Sequence, residues 1–120
     1  MPQIDKPSIF VYLCADAPAG ALSCITSGIE EEGIPYVLVK IPNESVETAS
    51  FRAADGSRLS VGIALGESDA ALHYSKLRKD APLFCLRDDT FNAYLLRNLG
   101  SNAARLVKGV AFKPMENGVL

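Results

Sequence analysis

The sequence has no tryptophan, a single histidine, three cysteines outside any CxxC spacing, and no large excess of either charge. Each scarcity excludes something. One histidine leaves no second imidazole for a His-based metal site and little support for a Ser-His-acid nucleophile, and no nucleophile elbow accompanies it. Cys14, Cys24 and Cys85 are odd in number and unpaired in spacing, which argues against a disulfide framework or a structural zinc; all three are expected as small core residues. With 12 basic against 14 acidic side chains, the chain lacks the general attraction to phosphate backbones that nucleic-acid binders use, so no nucleic-acid partner is expected. Apolar stretches such as 9–15 and 36–39 fall well short of the roughly 20 residues that cross a bilayer. No membrane span is therefore expected, and a cytoplasmic location is. Neither GxGxxG nor a lysine-containing phosphate loop occurs, so any nucleotide must be held by a partner.

What remains is enough for one core: 120 residues that are 48% hydrophobic, read as a single domain over 1–120. Residues 8–13 (SIFVYL) predict a fully buried first strand. A helix follows with Asp16 as cap, Pro18 in its first turn, Leu22, Ile25 and Ile29 at helical spacing, and Gly33 just past its end. Residues 36–41 predict a second strand, and a weaker helical pattern between Asn43 and Asp55 stops at Gly56. Residues 59–65 (LSVGIAL) predict a third buried strand in which Gly62 marks close approach of another backbone or a partner. Two further strands are expected at 70–74 and 82–86, separated by polar residues 75–81.

From Thr90 onward, Leu95, Leu99, Ala103, Leu106 and Val110 form one apolar helix face, with Asp88 or Asp89 as cap and Gly109 as stop. Alternating strands and helices imply an α/β fold, a three-layer sandwich on a mostly parallel sheet. The short link between the third and fourth strands makes one strand antiparallel. The tail 113–120 is expected to be loose. His73, in the fourth strand, is expected to be structural.

Two charged groups stand out. Glu30, Glu31 and Glu32 crowd the negative end of a helix dipole and repel one another, breaking a local rule with no evident local gain. A solvated surface run would explain them, and so would a carboxylate reaching across an interface to a cation or metal; magnesium needs only one or two protein carboxylates beside phosphate and water. In the last helix Arg97, Arg105 and Lys108 share a narrow face, which reads most simply as solvated. Gly100 and Asn102 lower helix propensity there, and close packing against a neighbouring backbone is the expected reason.

GIEEEGIP at 28–35 and RNLGSNAARLVKGVAF at 97–112 resemble the medium-subunit family of adenosylcobalamin-dependent diol and glycerol dehydratases and, more closely, the small subunit of their reactivating factors. LSVGIAL with the following ALHYSKL is similar to the family's central stretch, so the likeness runs from about Ser8 to Phe112; Ala111 departs where proline is common. The resemblance implies a three-layer α/β/α fold whose five-stranded mixed sheet has an antiparallel fourth strand. It implies a non-catalytic, chaperone-like subunit, without a cofactor of its own, that docks on a large ATPase-like chain in a complex of two large and two small chains. That pair releases damaged cobalamin from inactivated dehydratase, with the small chain exchanging places with the dehydratase's medium subunit. The family's middle glutamate falls on Glu31 and reaches Mg2+ at the large subunit's ADP or ATP site. Glu30, Glu32, Arg97, Asn102, Arg105 and Lys108 are the accompanying candidate interface residues. A shortened dehydratase medium subunit is the alternative, disfavoured by the chain's length, and an orphan domain with a small ligand at the carboxyl ends of its strands is a third reading. Glycerol versus propane-1,2-diol, the oligomeric state alone, and association with a bacterial microcompartment stay open.

Overall fold

A computed structural model describes residues 6–117 as β1 (Ile9–Leu13), α1 (Ala19–Glu31), β2 (Tyr36–Lys40), α2 (Val46–Gly56), β3 (Val61–Leu65), β4 (Asp69–Tyr74), β5 (Phe84–Arg87), a 3-10 turn (Asp88–Thr90) and α3 (Ala93–Lys108). The five strands lie in the order β2-β1-β3-β4-β5. β1 runs parallel to β2 and β3, and β4 is antiparallel to both β3 and β5. The reversed fourth strand follows from the tight link after Leu65, which cannot carry a parallel crossover. No helix among the described residues is long and apolar enough to span a membrane.

Strand alternation divides the side chains between two helical layers. Ile9, Val11, Ile63, Leu65 and Leu72 pack beneath α1 and α3, against Ile25, Ile29, Leu95 and Leu99. On the other face Ala64 and Ala71 meet Val46 and Ala49 of α2, with Tyr12 and Ile41 at the margin. A Cβ at Gly62 would fall 2.2 Å from the Ala54 backbone nitrogen, so α2 lies with its backbone directly on the sheet. The close approach foreseen at Gly62 is thus made within the chain. β1 is not buried throughout: Phe10 and Tyr12, facing α2, are half-exposed. β2 is an edge strand, leaving Val37 and Leu38 44% and 43% exposed.

The helix ends correct the expected caps. α1 starts after Pro18 without a side-chain cap, and Asp16 instead accepts a hydrogen bond from Asn43 Nδ2 at 3.4 Å. Asp88 and Asp89 belong to the 3-10 turn, where Asp88 takes φ 56°, and Asn92 caps α3 by accepting from the Leu95 amide at 3.0 Å. Gly109 ends α3 in the left-handed conformation at φ 72°, as foreseen. Val110 lies beyond that stop and is exposed, so the apolar stripe closes at Leu106.

Cys14 is buried and Cys24 half-buried, but Cys85 is exposed, because it alternates with inward-facing Leu86 on the edge strand β5. His73 is fully buried and structural. Its Nδ1 accepts from the Tyr74 amide at 3.0 Å, its Nε2 lies 3.2 Å from the Lys79 carbonyl, and its ring meets Phe51 edge-on. The tail is not loose as far as it is described. Asn98 Nδ2 donates to the Pro114 carbonyl at 2.9 Å and Asn92 Nδ2 to Asn117 Oδ1 at 2.7 Å, while Met115 packs on the core. Residues 118–120 lie outside the described part.

Candidate interface at the carboxyl ends of the first and last helices

α1 and α3 pack side by side, and glycine sets how closely. A Cβ on Gly28 would stand 2.1 Å from the Arg97 carbonyl oxygen, and one on Gly100 would stand 2.0 Å from that of Ile25. The two backbones are therefore in direct contact, which is why Gly100 is retained despite its helix cost of about 1 kcal/mol. Ser101 Oγ adds a hydrogen bond to the Gly28 carbonyl at 3.3 Å. This approach carries the three glutamates at the end of α1 onto the basic side chains of α3.

The acidic run and the basic face, which the sequence presents as separate groups, are partners. Glu31 Oε2 lies 3.3 Å from Arg97 Nη2, and its Oε1 accepts from Ser101 Oγ at 3.2 Å and Lys113 Nζ at 3.3 Å. Glu32 Oε1 lies 2.7 Å from Lys108 Nζ and its Oε2 lies 2.9 Å from Arg105 Nε. Lys108 also donates to the Glu32 carbonyl at 3.0 Å, satisfying a free oxygen of the last turn of α1. Glu30 points the other way and accepts from the Tyr36 hydroxyl at 2.6 Å. The local gain that the sequence conceals is this set of cations, two of them from the far end of α3, where they also offset its negative dipole end.

Of the predicted site residues, Glu31, Glu32, Arg97, Arg105 and Lys108 come together in this cluster. Asn102 is fully buried, and both ends of its amide are used by Lys113: Nδ2 donates to the carbonyl at 2.9 Å and Oδ1 accepts from the amide at 2.7 Å. It can therefore act on the surface only through the segment it holds. Sequence reasoning missed Ser101 and Lys113. Ser101 left a faint signal, a small polar residue one position from Gly100, but nothing in the sequence points from Lys113 to α1.

Hydrogen bonds from Arg97 and then Lys113 pull the Glu31 carboxyl down to about 2, and those from Lys108 and then Arg105 lower Glu32 below its ordinary value of 4.5. Glu30 acts in the opposite sense on its own partner, raising the Tyr36 hydroxyl. Because both folded-state glutamate values lie below the unfolded one, the unfolded chain takes up protons first as pH falls. The stabilisation is complete above about 4.5 and is lost as pH drops towards 2. Melting temperature is thus expected to decline through that window, and the Glu31→Gln, Glu32→Gln double variant to show a flatter decline. A double variant whose profile runs parallel to that of the native chain would contradict these assignments.

At the carboxyl ends of β1 and β2 lies a depression of about 300 Å³ lined by Leu13, Cys14, Ala17, Leu22, Lys40 and Ile41. It is the place a small-ligand reading would need, yet its walls are mainly apolar and offer few polar groups to orient a substrate.

Residues 6–113 match the family model described as dehydratase medium subunit. The chain belongs to that family. Within it, 43% identity over 109 residues, 91% of this chain and 92% of the other, links it to the propanediol dehydratase-reactivating factor small subunit of Salmonella typhimurium. The corresponding small subunit of Citrobacter freundii is 44% identical over 110 residues, 92% of this chain and 93% of that one. Among solved structures, a diol dehydratase-reactivating factor complexed with ADP and Mg2+ superimposes with a TM-score of 0.82 at 39% identity, covering 90% of this chain and 98% of that one. A glycerol dehydratase reactivase gives a TM-score of 0.83 at 30% identity, covering 92% and 99%. The resemblance read from 28–35 and 97–112 is borne out, and both family segments lie in the packed α1–α3 pair and its cluster.

Proposed function

We propose that this chain is the non-catalytic small subunit of a reactivating factor for adenosylcobalamin-dependent diol or glycerol dehydratase. It docks on a large, nucleotide-holding subunit, two of each, through the carboxyl ends of α1 and α3. The observation that carries the reading is the near full-length identity to propanediol dehydratase-reactivating factor small subunits. Its role is to be bound and released. The large subunit's nucleotide state decides whether it holds this chain, which exchanges places with the dehydratase's medium subunit while damaged cobalamin leaves. Such exchange needs two complexes of similar stability, so that a modest differential affinity moves the population.

The chemistry of Glu31 fits a shared magnesium ion as a single donor. Among the described residues no three His, Cys, Asp or Glu side chains gather to hold a metal, so an ion must be held mainly elsewhere. Glu31 is 37% exposed at the cluster's surface and stays ionised over the whole neutral range. One carboxylate oxygen is what Mg2+ takes beside phosphate oxygens and water. The ion, when bound, would supply electrostatic attraction between the subunits. Glu31 would present its oxygen, Arg97 and Lys113 would release it, and Glu32 with Arg105 and Lys108 would keep the two helix ends together.

Light scattering after gel filtration, with the large reactivating-factor subunit of the same system, ADP and Mg2+, tests this. A two-plus-two complex is expected, weakened by Glu31→Ala about 30-fold or more, the scale of removing one member of a desolvated charge pair. No complex under any nucleotide condition would overturn the reading. It would favour the shortened medium subunit, which the family description also allows and which should restore dehydratase activity when added with cobalamin to the remaining dehydratase subunits.

A further inference from the structure

Glu30 is the member of the acidic run that stands outside the cation cluster, and the strand it leans on has an open side. β2 lies at the margin of the sheet, and its outer edge pairs with no described strand. The Ile9 amide donates to the Pro35 carbonyl and the Ile41 amide to the Leu13 carbonyl, so residues 35, 37, 39 and 41 turn their backbone groups towards β1. Tyr36, Leu38 and Lys40 therefore turn theirs away from the sheet. Such an edge is a template for another strand unless it is very short, covered or charged. The opposite edge is managed in all three ways: β5 has four residues, carries Arg87, and has Phe112 of the tail against Phe84. On β2 only Lys40 is charged.

Charge and register say what fits there. A second β2, laid antiparallel about a two-fold axis through Leu38 and normal to the sheet, sets Leu38 against its own counterpart and Tyr36 against the Lys40 of the other copy. Faces are kept by such an axis, so that Lys40 arrives on the α1 side, where Glu30 Oε2 stands 2.6 Å from the Tyr36 hydroxyl. Symmetry forms this pair of opposite charges twice. On the other face Val37 meets the second copy's Val39, beside a depression of about 340 Å³ that Phe10 and Gly56 also line. Sliding the strands by two residues one way would ask Pro42 for an amide hydrogen that it lacks, and the other way would carry Lys40 opposite Ile34 and away from Glu30. One register therefore satisfies both the backbone and the charges.

We infer that the free chain pairs with a second copy of itself through antiparallel β2 edges, Lys40 of each copy meeting Glu30 of the other. About six backbone hydrogen bonds, two from each of three facing pairs, make one continuous sheet through both molecules. The contact is isologous and closes on itself, so it uses up the open edge without inviting further copies. A strand of five residues makes a narrow interface, and the dimer is accordingly reversible. It goes beyond the subunit reading and does not depend on it, since Glu31, Glu32 and the basic side chains of α3 take no part.

Sedimentation equilibrium of the full chain alone, combined with hydrogen exchange at several concentrations, tests this. The mass is expected to rise from one chain to two between about 1 and 100 μM, the range of a small interface. Over the same range the outward amides of Tyr36, Leu38 and Lys40 should gain protection, while those of Val37 and Val39, already bonded to β1, should change little. Leu38→Lys, which opposes two ammonium groups on the axis, should weaken the dimer about 30-fold or more, and Leu77→Lys, on an exposed apolar residue elsewhere, should not. Lys40→Glu and Glu30→Lys should each weaken it about 10-fold, and the two together should restore it to within about 3-fold of the native chain. If Leu38→Lys does not fold, the charge exchange decides. A chain that stays single throughout, a dimer without protection at 36, 38 and 40, or a charge exchange that does not restore pairing overturns the inference. Protection of those three amides only on adding the large reactivating-factor subunit would give the edge to that partner, and overturns it too.

Discussion

Gly100→Ala is expected to destabilise the chain by about 3 kcal/mol or more, although alanine is the better helix former by about 1 kcal/mol. The sign is set by sterics. The new methyl would stand 2.0 Å from the Ile25 carbonyl oxygen and 2.9 Å from its carbon, both backbone atoms that no rotamer change can move aside. α1 must therefore shift away from α3. Gly28→Ala repeats the conflict from the other helix, 2.1 Å from the Arg97 oxygen and 2.7 Å from the Ser101 nitrogen. Since one displacement relieves both clashes, the double variant should cost less than the sum of the two. Gly20→Ala, in the same helix with no atom within 4 Å, is the control and should be neutral or slightly stabilising. At about 4 °C per kcal/mol for a chain of this size, the Gly100 variant should melt about 12 °C lower, or fail to fold. A melt within a few degrees of the native one would show that the helices are not in backbone contact.

That contact explains why the fold was more legible than the site. Strand and helix periodicities are local, so β1 through β5 and the three helices could be placed within a few residues, and the antiparallel β4 followed from one short link. Caps are less legible where acceptors compete: Asp88 and Asp89 precede the helix closely enough to cap it, but the left-handed turn at Asp88 delays the start to Ala93 and leaves the role to Asn92. The cluster was harder because its pairs join residues 66 to 82 positions apart. An acidic run and a basic face each look unsatisfied in one dimension. Their pairing depends on Gly28 and Gly100 bringing the helices into register, and the sequence shows those glycines only as propensity defects.

Asn102 is where the fold and the cluster join, and Asn102→Ala is expected to cost about 2–3 kcal/mol. The substitution removes two hydrogen bonds, at 2.9 and 2.7 Å, from a fully buried position and leaves the Lys113 amide and carbonyl to find water. Asn102→Asp should do no better, because a carboxylate can accept from the Lys113 amide but repels its carbonyl and is buried with its charge. The larger consequence is for the tail. Freed at residue 113, it retains the Asn98–Pro114 bond, the bonds of Asn117 with Asn92 and the Asp89 carbonyl, the packing of Met115 and, just before it, the Arg105–Ala111 bond and the Phe84–Phe112 ring contact, so Lys113 keeps a less firmly fixed place beside Glu31. Hydrogen exchange separates this local loosening from global loss: the Lys113 amide should lose protection far more than amides in β3 or β4. With the second of its two cations held less firmly, Glu31 should also titrate at a higher pH, narrowing the acid window over which stability is lost. A Lys113 amide as protected in the variant as in the native chain would mean that another contact holds the strap, and Asn102 would then have no path to the cluster.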